Sequence, residues 1–392
     1  MPQPLRLAFA SPLPPTRSGI ADFSAALLPY LAAGAELTLF VDRPDLLAPA
    51  LQVTYPCHPL SELPARRAEF DLPIYQIGNN SLHAAIFEMA LRYPGLTVLH
   101  DLDLSQFRGH ELLVEQGDFA AYSRELAREL GLPGYAAARR LWLNEAGASA
   151  PQTAFHTRLV RRSLGMIVHN ETARRQLHEA HGDRPVRHIP LLVDQFPTDN
   201  YRARLNLPAD AFVFAAVGQL NRHKQIAWSL TQFAAVRQDH PEAHFLLVGE
   251  ALPGEIDLPG LIRQLGLDGA VHHIDYVPAA TDFLNWTAAA DVLVALRQPT
   301  LGETSAAALN GMAAARPLIV FDQGWYSELP ATVALKLPPM DEVAFQDCLR
   351  HCLTHRPQLA AMGEAALAYV RREHRPETIA RQYLDFCARM LA

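Results

Sequence analysis

Lysine is almost missing from this chain. Of its 34 basic residues, only Lys224 and Lys336 are lysines, so arginine carries nearly all the positive charge. A lysine is therefore expected where a compact ammonium is needed; the alternative is that the two positions are lysine by chance. The formal net charge of −7, and the absence of a basic run interleaved with aromatic residues, argue against nucleic acid as the main partner.

Long apolar runs are missing too. No run reaches the roughly 18 residues that a membrane-spanning helix needs. The opening stretch MPQPLRLAFASPLPP has one arginine, a short apolar run and then prolines, which is typical of a strand entering a loop and not of a signal peptide. We expect a cytoplasmic protein.

Cysteine pairs and glycine-rich fingerprints are absent as well. The four cysteines (Cys57, Cys348, Cys352 and Cys387) are scattered, and we expect buried thiols rather than metal ligands even where Cys348 and Cys352 flank His351. No G-x-G-x-x-G follows the first predicted strand, which argues against a dinucleotide-dependent dehydrogenase. The sequence therefore predicts neither a metal nor a cofactor.

Short apolar runs alternate with helical patterns along all 392 residues. This alternation predicts a parallel α/β architecture, and the length favours two domains. Predicted strands of the first half are Leu5–Ala10, Glu36–Val41, Leu72–Ile77, Leu96–His100, Gly165–His169 and Val186–Pro190. Those of the second half are Phe212–Val217, His244–Gly249, Val271–Val277, Asp291–Leu296 and Pro317–Asp322.

A polar, turn-rich stretch places the domain junction near residues 195 to 208. We predict an N-terminal domain over 1–200, a C-terminal domain over 201–375, and a last helix over 376–392 that packs back on the N-terminal domain. Doubly wound sheets bind ligands at the carboxyl ends of their strands. The expected site is a cleft between the two domains.

Three cations follow predicted strands of the second half. Lys224 and Arg222 lie where the first of these strands gives way to a helix, and Arg297 follows the strand Asp291–Leu296. Cations at this edge suit a diphosphate leaving group, whose growing charge must be stabilised. The alternative is a set of solvated charges at a helix start.

Two glycine or serine turns open helices at the same predicted edge. Ser18 and Gly19 precede a helix whose free amide groups favour an anion, although a plain N-cap explains them equally. Glu303 precedes a helix that starts near Ser305. A carboxylate repels phosphate, so Glu303 fits sugar hydroxyls better; complementarity to the helix dipole is the alternative.

Histidines follow several strands of the first half. His100 and Asp101 end one strand, while His83 and the pair His169–Asn170 lie at similar ends. A single histidine is usually structural, but several at one sheet edge favour a site.

Taken in order, these segments resemble a glycosyltransferase of the GT-B fold, in the retaining family 4 group. The resemblance runs from SPLPPTRSGIADFS through GNNSLHAAIFEMALRYPGLTVLHD, VGQLNRHK, FLLVGE and ADVLVALRQPTLGETS to ARPLIVFDQGWYSELP. It implies two Rossmann-like domains facing across a cleft. It also implies transfer of a sugar from a nucleotide donor, with retained configuration and without a bound metal.

The resemblance also assigns roles to individual positions. Gly19 resembles the glycine beside the diphosphate, His100 the histidine near the transferred sugar, and Lys224 the lysine that neutralises the leaving phosphates. Glu303 resembles the first acid of the Glu-x7-Glu motif. The remaining donor positions are the amides of Thr304, Ser305 and Ala306 at the phosphates and Tyr276–Val277 at the base.

Three departures from the family pattern stand out. Gln219 replaces an arginine, so Arg222 or Arg297 supplies that charge. Asn310 falls on the second acid, which holds the ribose in the family. The spacing from Glu303 to Asn310 is one residue short.

The resemblance implies a glycan or lipid-linked glycan acceptor in cell-envelope polysaccharide synthesis. The segment SRELARELGLPGYAAARRLWL is either an amphipathic face with Arg139 and Arg140 toward anionic lipid at the inner membrane, or a packed helix pair. Two alternative functions stay open: a GT-B nucleotide-sugar epimerase, and a catalytically silent nucleotide-sugar binding protein, which Asn310 favours.

Overall fold

The computed structural model describes residues 4–146, 153–252 and 254–392. Its residue contacts divide the chain into two compact units. The first contains Met1–Leu192, Leu301–Thr304 and Pro376–Ala392, and the second contains Val193–Thr300 and Ser305–Arg375.

The first unit is built on a parallel sheet of seven strands in the order β3-β2-β1-β4-β5-β6-β7. The strands are β1 Leu5–Ala10, β2 Ala35–Val41, β3 Cys57–Pro59, β4 Leu72–Ile77, β5 Leu96–Leu99, β6 Gly165–Val168 and β7 Val186–His188. Helices connect them: α1 Gly19–Ala32, α2 Pro49–Thr54, α3 Leu63–Arg66, α4 Ala84–Arg92, α5 Ser105–His110, α6 Phe119–Leu130, α7 Leu132–Trp142, α8 Thr157–Arg162 and α9 Glu171–His181. A π-helical turn, Glu111–Glu115, separates α5 from α6.

Both faces of this sheet are covered, as the apolar composition of its strands requires. Successive residues of β1 enter opposite cores because side chains alternate along a strand. Leu7 and Phe9 pack in one cluster with helix α1, whereas Ala8 and Ala10 pack in the other with α4.

The second unit has a parallel sheet of six strands in the order β10-β9-β8-β11-β12-β13. The strands are β8 Phe212–Val217, β9 Ala243–Val248, β10 Val271–Ile274, β11 Val292–Val294, β12 Leu318–Phe321 and β13 Ala334–Leu337. The helices are α10 Ile226–Arg237, α11 Leu258–Gln264, α12 Ala280–Thr287, α13 Ala306–Ala313, α14 Glu342–Thr354 and α15 Arg356–Glu373. Its core contains Phe214, Phe233 and Phe245, and the ring of Phe233 contacts the rings of the other two.

The last helix, α16 (Pro376–Leu391), belongs to the first unit. Its buried face contributes Ile379, Tyr383 and Phe386 to the same core as helix α1. A side chain at Gly34 would meet Leu384 at 2.7 Å, and one at Gly165 would meet Met390 at 2.6 Å. The helix therefore lies close against both the turn before β2 and the start of β6.

The prediction of two doubly wound parallel sheets is confirmed. Strands β1, β4 and β8 have the predicted bounds, and the other predicted strands differ at their ends by up to three residues. The sequence missed β3 and β13, which are short strands at the sheet edges.

The unit boundaries differ from the predicted ones. The first unit ends at Leu192, not at 200, and it includes Leu301–Thr304. Those four residues join it because the backbone amide of Asp103 donates to the Leu301 carbonyl at 2.9 Å and the Asn170 side chain donates to the Gly302 carbonyl at 3.0 Å.

None of the helices in the described ranges combines the length and apolar character needed to cross a lipid bilayer.

Candidate functional site

Each sheet reverses its winding direction at one point, and ligands bind at such points in doubly wound folds. In the second unit the reversal lies between β8 and β11. A small cavity opens there, at the carboxyl ends of both strands. Its lining consists of Val217, Lys224, Leu293, Val294, Ala295, Leu296, Arg297, Ser305, Ala307 and Tyr326.

Lys224 ends a short 3₁₀ turn, Arg222–Lys224, that follows β8. Its ammonium reaches back and donates to the carbonyl of Val217, the last residue of β8. Burial, and secondly the nearby guanidinium of Arg297, lower the pKa of Lys224 from 10.5 to about 7. An anion bound beside Lys224 would therefore stabilise the charged form of this side chain.

Gly218 makes this position of Lys224 possible. Its backbone has φ +81, and a β-carbon there would lie 2.9 Å from the lysine Nζ. Gly249 packs just as closely, since a β-carbon on it would lie 2.5 Å from the Gly218 carbonyl oxygen. Glycine is the residue that tolerates both the positive φ and the close approach.

The loop that carries Arg297 is tied to the turn that carries Lys224. The backbone amide of Gln298 donates to the His223 carbonyl at 2.8 Å, and the Gln225 side chain donates to the Gln298 carbonyl at 2.7 Å. The side chain of Gln323 donates to the Arg297 carbonyl. These bonds hold two cationic side chains at one edge of the sheet.

Helix α13 starts at the same edge. Ser305 is its N-cap and accepts from the amide of Ala308 at 3.2 Å. The first amides of a helix lack intrahelical acceptors, and the helix dipole is positive at this end. The predicted phosphate-binding amides of Ser305 and Ala306 therefore lie beside the cavity that Lys224 and Arg297 line.

Other predicted donor-binding residues of the second unit lie outside this lining. Arg222 is exposed, and its backbone amide donates to Glu255 at 2.9 Å. Tyr276, 43% exposed, and Val277 follow β10 at the sheet edge. Asn310 lies on α13, half-buried.

Glu303 and Thr304 lie in the part of the first unit formed by Leu301–Thr304. Glu303 is only 8% exposed, and its carboxylate accepts from the backbone amide of Leu301 at 2.6 Å. The Thr304 hydroxyl donates to the His169 carbonyl at 2.9 Å and accepts from the side-chain amide of Asn170 at 3.2 Å. This segment is thereby anchored at the end of β6.

In the first unit the sheet reverses between β1 and β4. Gly19 is the first residue of α1, capped by Ser18, and a β-carbon at Gly19 would touch nothing within 4 Å. Gly78, just after β4, faces Ile20 of the same helix, and a β-carbon there would also lie 3.1 Å from His83 Nε2. The Ile20 side chain at the start of α1 and the His83 imidazole therefore both lie close to Gly78 at this reversal point.

Three buried histidines surround the ends of β4, β5 and β6. The rings of His100 and His169 are 4.6 Å apart, and Phe23 contacts both edge-on at 5.3 Å. Burial lowers the pKa of His83 and of His169 to about 4, and it lowers that of His100 well below its ordinary 6.5. All three imidazoles are neutral at physiological pH.

Sequence reasoning missed Gln76 and Asn79. Gln76 accepts from His100 Nε2 at 2.7 Å. The Asn79 backbone amide donates to Asp101 at 2.8 Å, and its side chain accepts from the Phe107 amide at 2.9 Å. A polar residue at position 76, inside the apolar run LPIYQI, was the available signal.

Comparison with known proteins finds a family match in the second unit and matches to solved structures along nearly the whole chain. Residues 211–355 match the family described as glycosyl transferases group 1. No curated protein sequence matches the chain.

Solved structures match nearly the whole chain. Sucrose-phosphate synthase from Thermosynechococcus elongatus is 19% identical, with 98% of this chain and 99% of that one covered and a TM-score of 0.65. The Anabaena protein HepE, solved with UDP, is 16% identical over 98% of this chain and 100% of its own, with a TM-score of 0.69. WaaG, a glycosyltransferase involved in lipopolysaccharide biosynthesis, is 13% identical over 97% and 99%, with a TM-score of 0.64.

These likenesses show the fold. The chain has the two parallel sheets of the GT-B fold, and residues 211–355 of its second unit are similar to the group 1 glycosyl transferases. Membership of family 4 and the placing of a cleft between the units stay predictions.

Proposed function

We propose that this protein is a glycosyltransferase that takes a sugar from a nucleotide-sugar donor. The observation that carries the proposal is the ammonium of Lys224, held at the reversal point of the second sheet beside Arg297 and the start of α13. The matched family region, 211–355, contains all three features. HepE was also solved with UDP-glucose, which supports a nucleotide-sugar as donor.

The proposed chemistry needs charge stabilisation more than a nucleophile. As the bond from sugar to diphosphate breaks, negative charge grows on the leaving oxygen, where Lys224, Arg297 and the amides of Ser305 and Ala306 stabilise it. The leaving diphosphate then removes the proton from the incoming hydroxyl on the same face of the sugar, which retains the configuration. This mode works without a bound metal.

The remaining predicted residues receive roles in the same scheme. Glu303 holds sugar hydroxyls through its carboxylate, and His100 lies near the transferred sugar. Gly19 leaves space for the diphosphate at the start of α1. Around the nucleotide, the proposed contacts are Tyr276 and Val277 at the base, Asn310 at the ribose, and Arg222 and Thr304 near the phosphates.

Lys224→Ala and Glu303→Ala test this function. With a donor chosen by thermal stabilisation from UDP, GDP, dTDP and ADP sugars, we expect each variant to lower turnover at least about tenfold, the usual cost of one lost charge-stabilising contact. Lys336→Ala is the matched control, because that ammonium lies outside the cavity lining and donates to the Ser327 carbonyl at 2.7 Å. Wild-type rates in both site variants would refute the assignment.

Analysis of the products separates the alternatives. Nucleotide released together with a sugar of altered configuration, without any acceptor, would identify an epimerase. Donor-dependent stabilisation without turnover on any acceptor would identify a binding protein.

We further propose a glycan or lipid-linked glycan acceptor, used in cell-envelope polysaccharide synthesis on the cytoplasmic side of the membrane. Helix α7 supports contact with that membrane. Its small residues Gly134 and Ala138 face inward, and a β-carbon at Gly134 would lie 2.1 Å from the Leu126 carbonyl oxygen. Three of its large residues face outward: Leu132, Tyr135 and Trp142 are 84%, 57% and 68% exposed.

This outward face suits an anionic bilayer surface. Aromatic and leucine side chains enter the headgroup region, and arginines beside them attract anionic lipid. Arg139 and Arg140 are exposed on the same helix. We expect sedimentation with vesicles rich in phosphatidylserine at low salt, and loss of sedimentation in the variant Leu132→Glu with Trp142→Glu. Val343→Glu, at a 70% exposed position of the second unit, is the control, and a wild-type protein that stays in the supernatant would refute membrane contact.

A further inference from the structure

Gln76 is a polar side chain enclosed in the centre of the first sheet. It lies on β4 between Tyr75 and Ile77, and all three residues are 0% exposed. Burying an amide costs free energy unless hydrogen bonds compensate for the lost water. An amide kept at this position is therefore expected to have a specific partner.

The partners of Gln76 are two of the buried histidines. Its backbone carbonyl accepts from His83 Nδ1 at 2.9 Å, and its side-chain oxygen accepts from His100 Nε2 at 2.7 Å. Because the Gln76 oxygen is an acceptor, the nitrogen that it contacts, Nε2, must carry the single proton of the neutral imidazole. Nδ1 of His100 then carries the lone pair, and no hydrogen bond to it occurs within the described residues.

The groups around His100 keep its ring neutral. His169 approaches from β6 and His83 from the segment after β4, and both disfavour a positive charge on His100 in addition to the effect of burial. Phe23 covers the ring from α1. The carboxylate of Asp101, the next residue, accepts from the Asn79 amide at 2.8 Å.

His169 likewise has one donor nitrogen and one acceptor nitrogen, but with the two positions exchanged relative to His100. Its Nδ1 donates to the Ile189 carbonyl at 2.8 Å. Its Nε2 is buried and makes no hydrogen bond in the described part of the chain. Two neighbouring imidazoles thus each have one acceptor nitrogen without a donor.

We propose that Gln76 is a positioning residue that holds His100 in the Nε2–H form, so that Nδ1 accepts a hydrogen bond from a substrate hydroxyl. This inference rests on the proposed function. Together with His169 Nε2, it makes the end of β5 and β6 a subsite for an uncharged, hydroxyl-bearing group. Acceptor nitrogens disfavour an anion there, so the phosphates bind elsewhere.

The first test needs no substrate. In the protein labelled with ¹⁵N-histidine, NMR reports which nitrogen of His100 carries the proton. We expect Nε2–H in the wild type and a mixture of tautomers in Gln76→Met. In Gln76→Glu the new carboxylate stabilises the imidazolium, so the titration of His100 moves up by at least about one pH unit. An Nδ1–H wild type, or variants with an unchanged spectrum and titration, would overturn the proposal.

Thr97→Val is the matched control. Thr97 is a buried polar residue of the neighbouring strand β5 whose hydroxyl bonds Ser163 at 2.7 Å. We expect this variant to lower stability and leave the His100 spectrum unchanged. A Thr97→Val protein with the same tautomer mixture as Gln76→Met would show a general effect of core disruption and overturn the proposal.

Activity supplies the second test, with UDP-glucose as the probe. We expect Gln76→Met to lower kcat about tenfold with a donor KM within about threefold, since one oriented contact at the reacting group is lost. Wild-type kcat in Gln76→Met would overturn the positioning role even if donor turnover is confirmed. The two experiments can also give different answers. If NMR shows the Nε2–H form of His100 as expected but the wild type turns over no nucleotide sugar, the role of Gln76 in fixing the tautomer is supported and the proposed function is refuted.

Discussion

The lowered pKa of Lys224 predicts that nucleotide binding depends on pH above neutrality. In the ligand-free protein its pKa is about 7, because the ammonium is buried and Arg297 lies near. The proposed role requires a charged ammonium against the diphosphate. Above pH 7 the bound complex must therefore take up a proton that the free protein has lost.

The size of the effect follows from linkage. If the bound diphosphate returns the pKa of Lys224 to its ordinary value of 10.5, affinity falls as the pH rises above 7. The loss for each pH unit approaches a factor of about ten, or roughly 1.4 kcal/mol. Between pH 7 and 9 this amounts to about 50-fold. The terminal phosphate of UDP, with a pKa of about 6, is already ionised in that range and contributes little.

The stability of the free protein changes in the opposite direction. Between pH 7 and the ordinary pKa of lysine, the unfolded chain keeps a proton on residue 224 that the folded chain has released. The unfolded state thus binds more protons, so the free energy of unfolding contributed by this group rises with pH.

Isothermal titration with UDP from pH 6.5 to 9, in buffers of different ionisation heat, measures both affinity and proton uptake. We expect uptake approaching one proton at the upper end. Lys224→Met should bind weakly with little dependence on pH, whereas Lys336→Met should behave like the wild type. The reasoning would be refuted if the affinity of the wild type for UDP changed by less than about threefold between pH 7 and 9. It would also be refuted if affinity in Lys224→Met depended on pH as steeply as in the wild type.

Two further substitutions test the geometry. Gly218→Ala puts a β-carbon 2.9 Å from the Lys224 ammonium at φ +81, so we expect lower thermal stability and at least about tenfold weaker UDP binding; unchanged binding would show that Lys224 moves freely. Asn170→Ala removes the cap of α9 and the donors to Gly302 and Thr304, and we expect about 2–3 kcal/mol lower unfolding free energy by denaturant titration. Asn170→Asp keeps the cap acceptor and should lose less; equal losses would contradict a role for the donors.

The central strands were predictable because they are continuous apolar runs bounded by turn residues. Leu72–Ile77 and Phe212–Val217 show this pattern and were predicted with their observed bounds. Cys57–Pro59 and Ala334–Leu337 were not, since edge strands are short, less buried and defined by pairing with distant residues.

The site was predictable only in part. Chain position put Lys224 and Arg297 after strands of one sheet, and parallel strands bring such residues to a common edge. The reach of the Lys224 ammonium to a backbone carbonyl depends on side-chain direction, which periodicity does not encode. The pairing of Gln76 with His100 and the anchoring of Leu301–Thr304 depend on tertiary contacts for the same reason.

The location of α16 has a consequence for biosynthesis. A ribosome delivers residues 193–375 before it delivers Pro376–Leu391, yet Tyr383 and Phe386 complete the core that Leu7 and Phe9 begin. The unit whose chain emerges first therefore reaches its final packing last. During translation, the apolar surface that α16 will cover stays open to chaperones until the second unit has been synthesised.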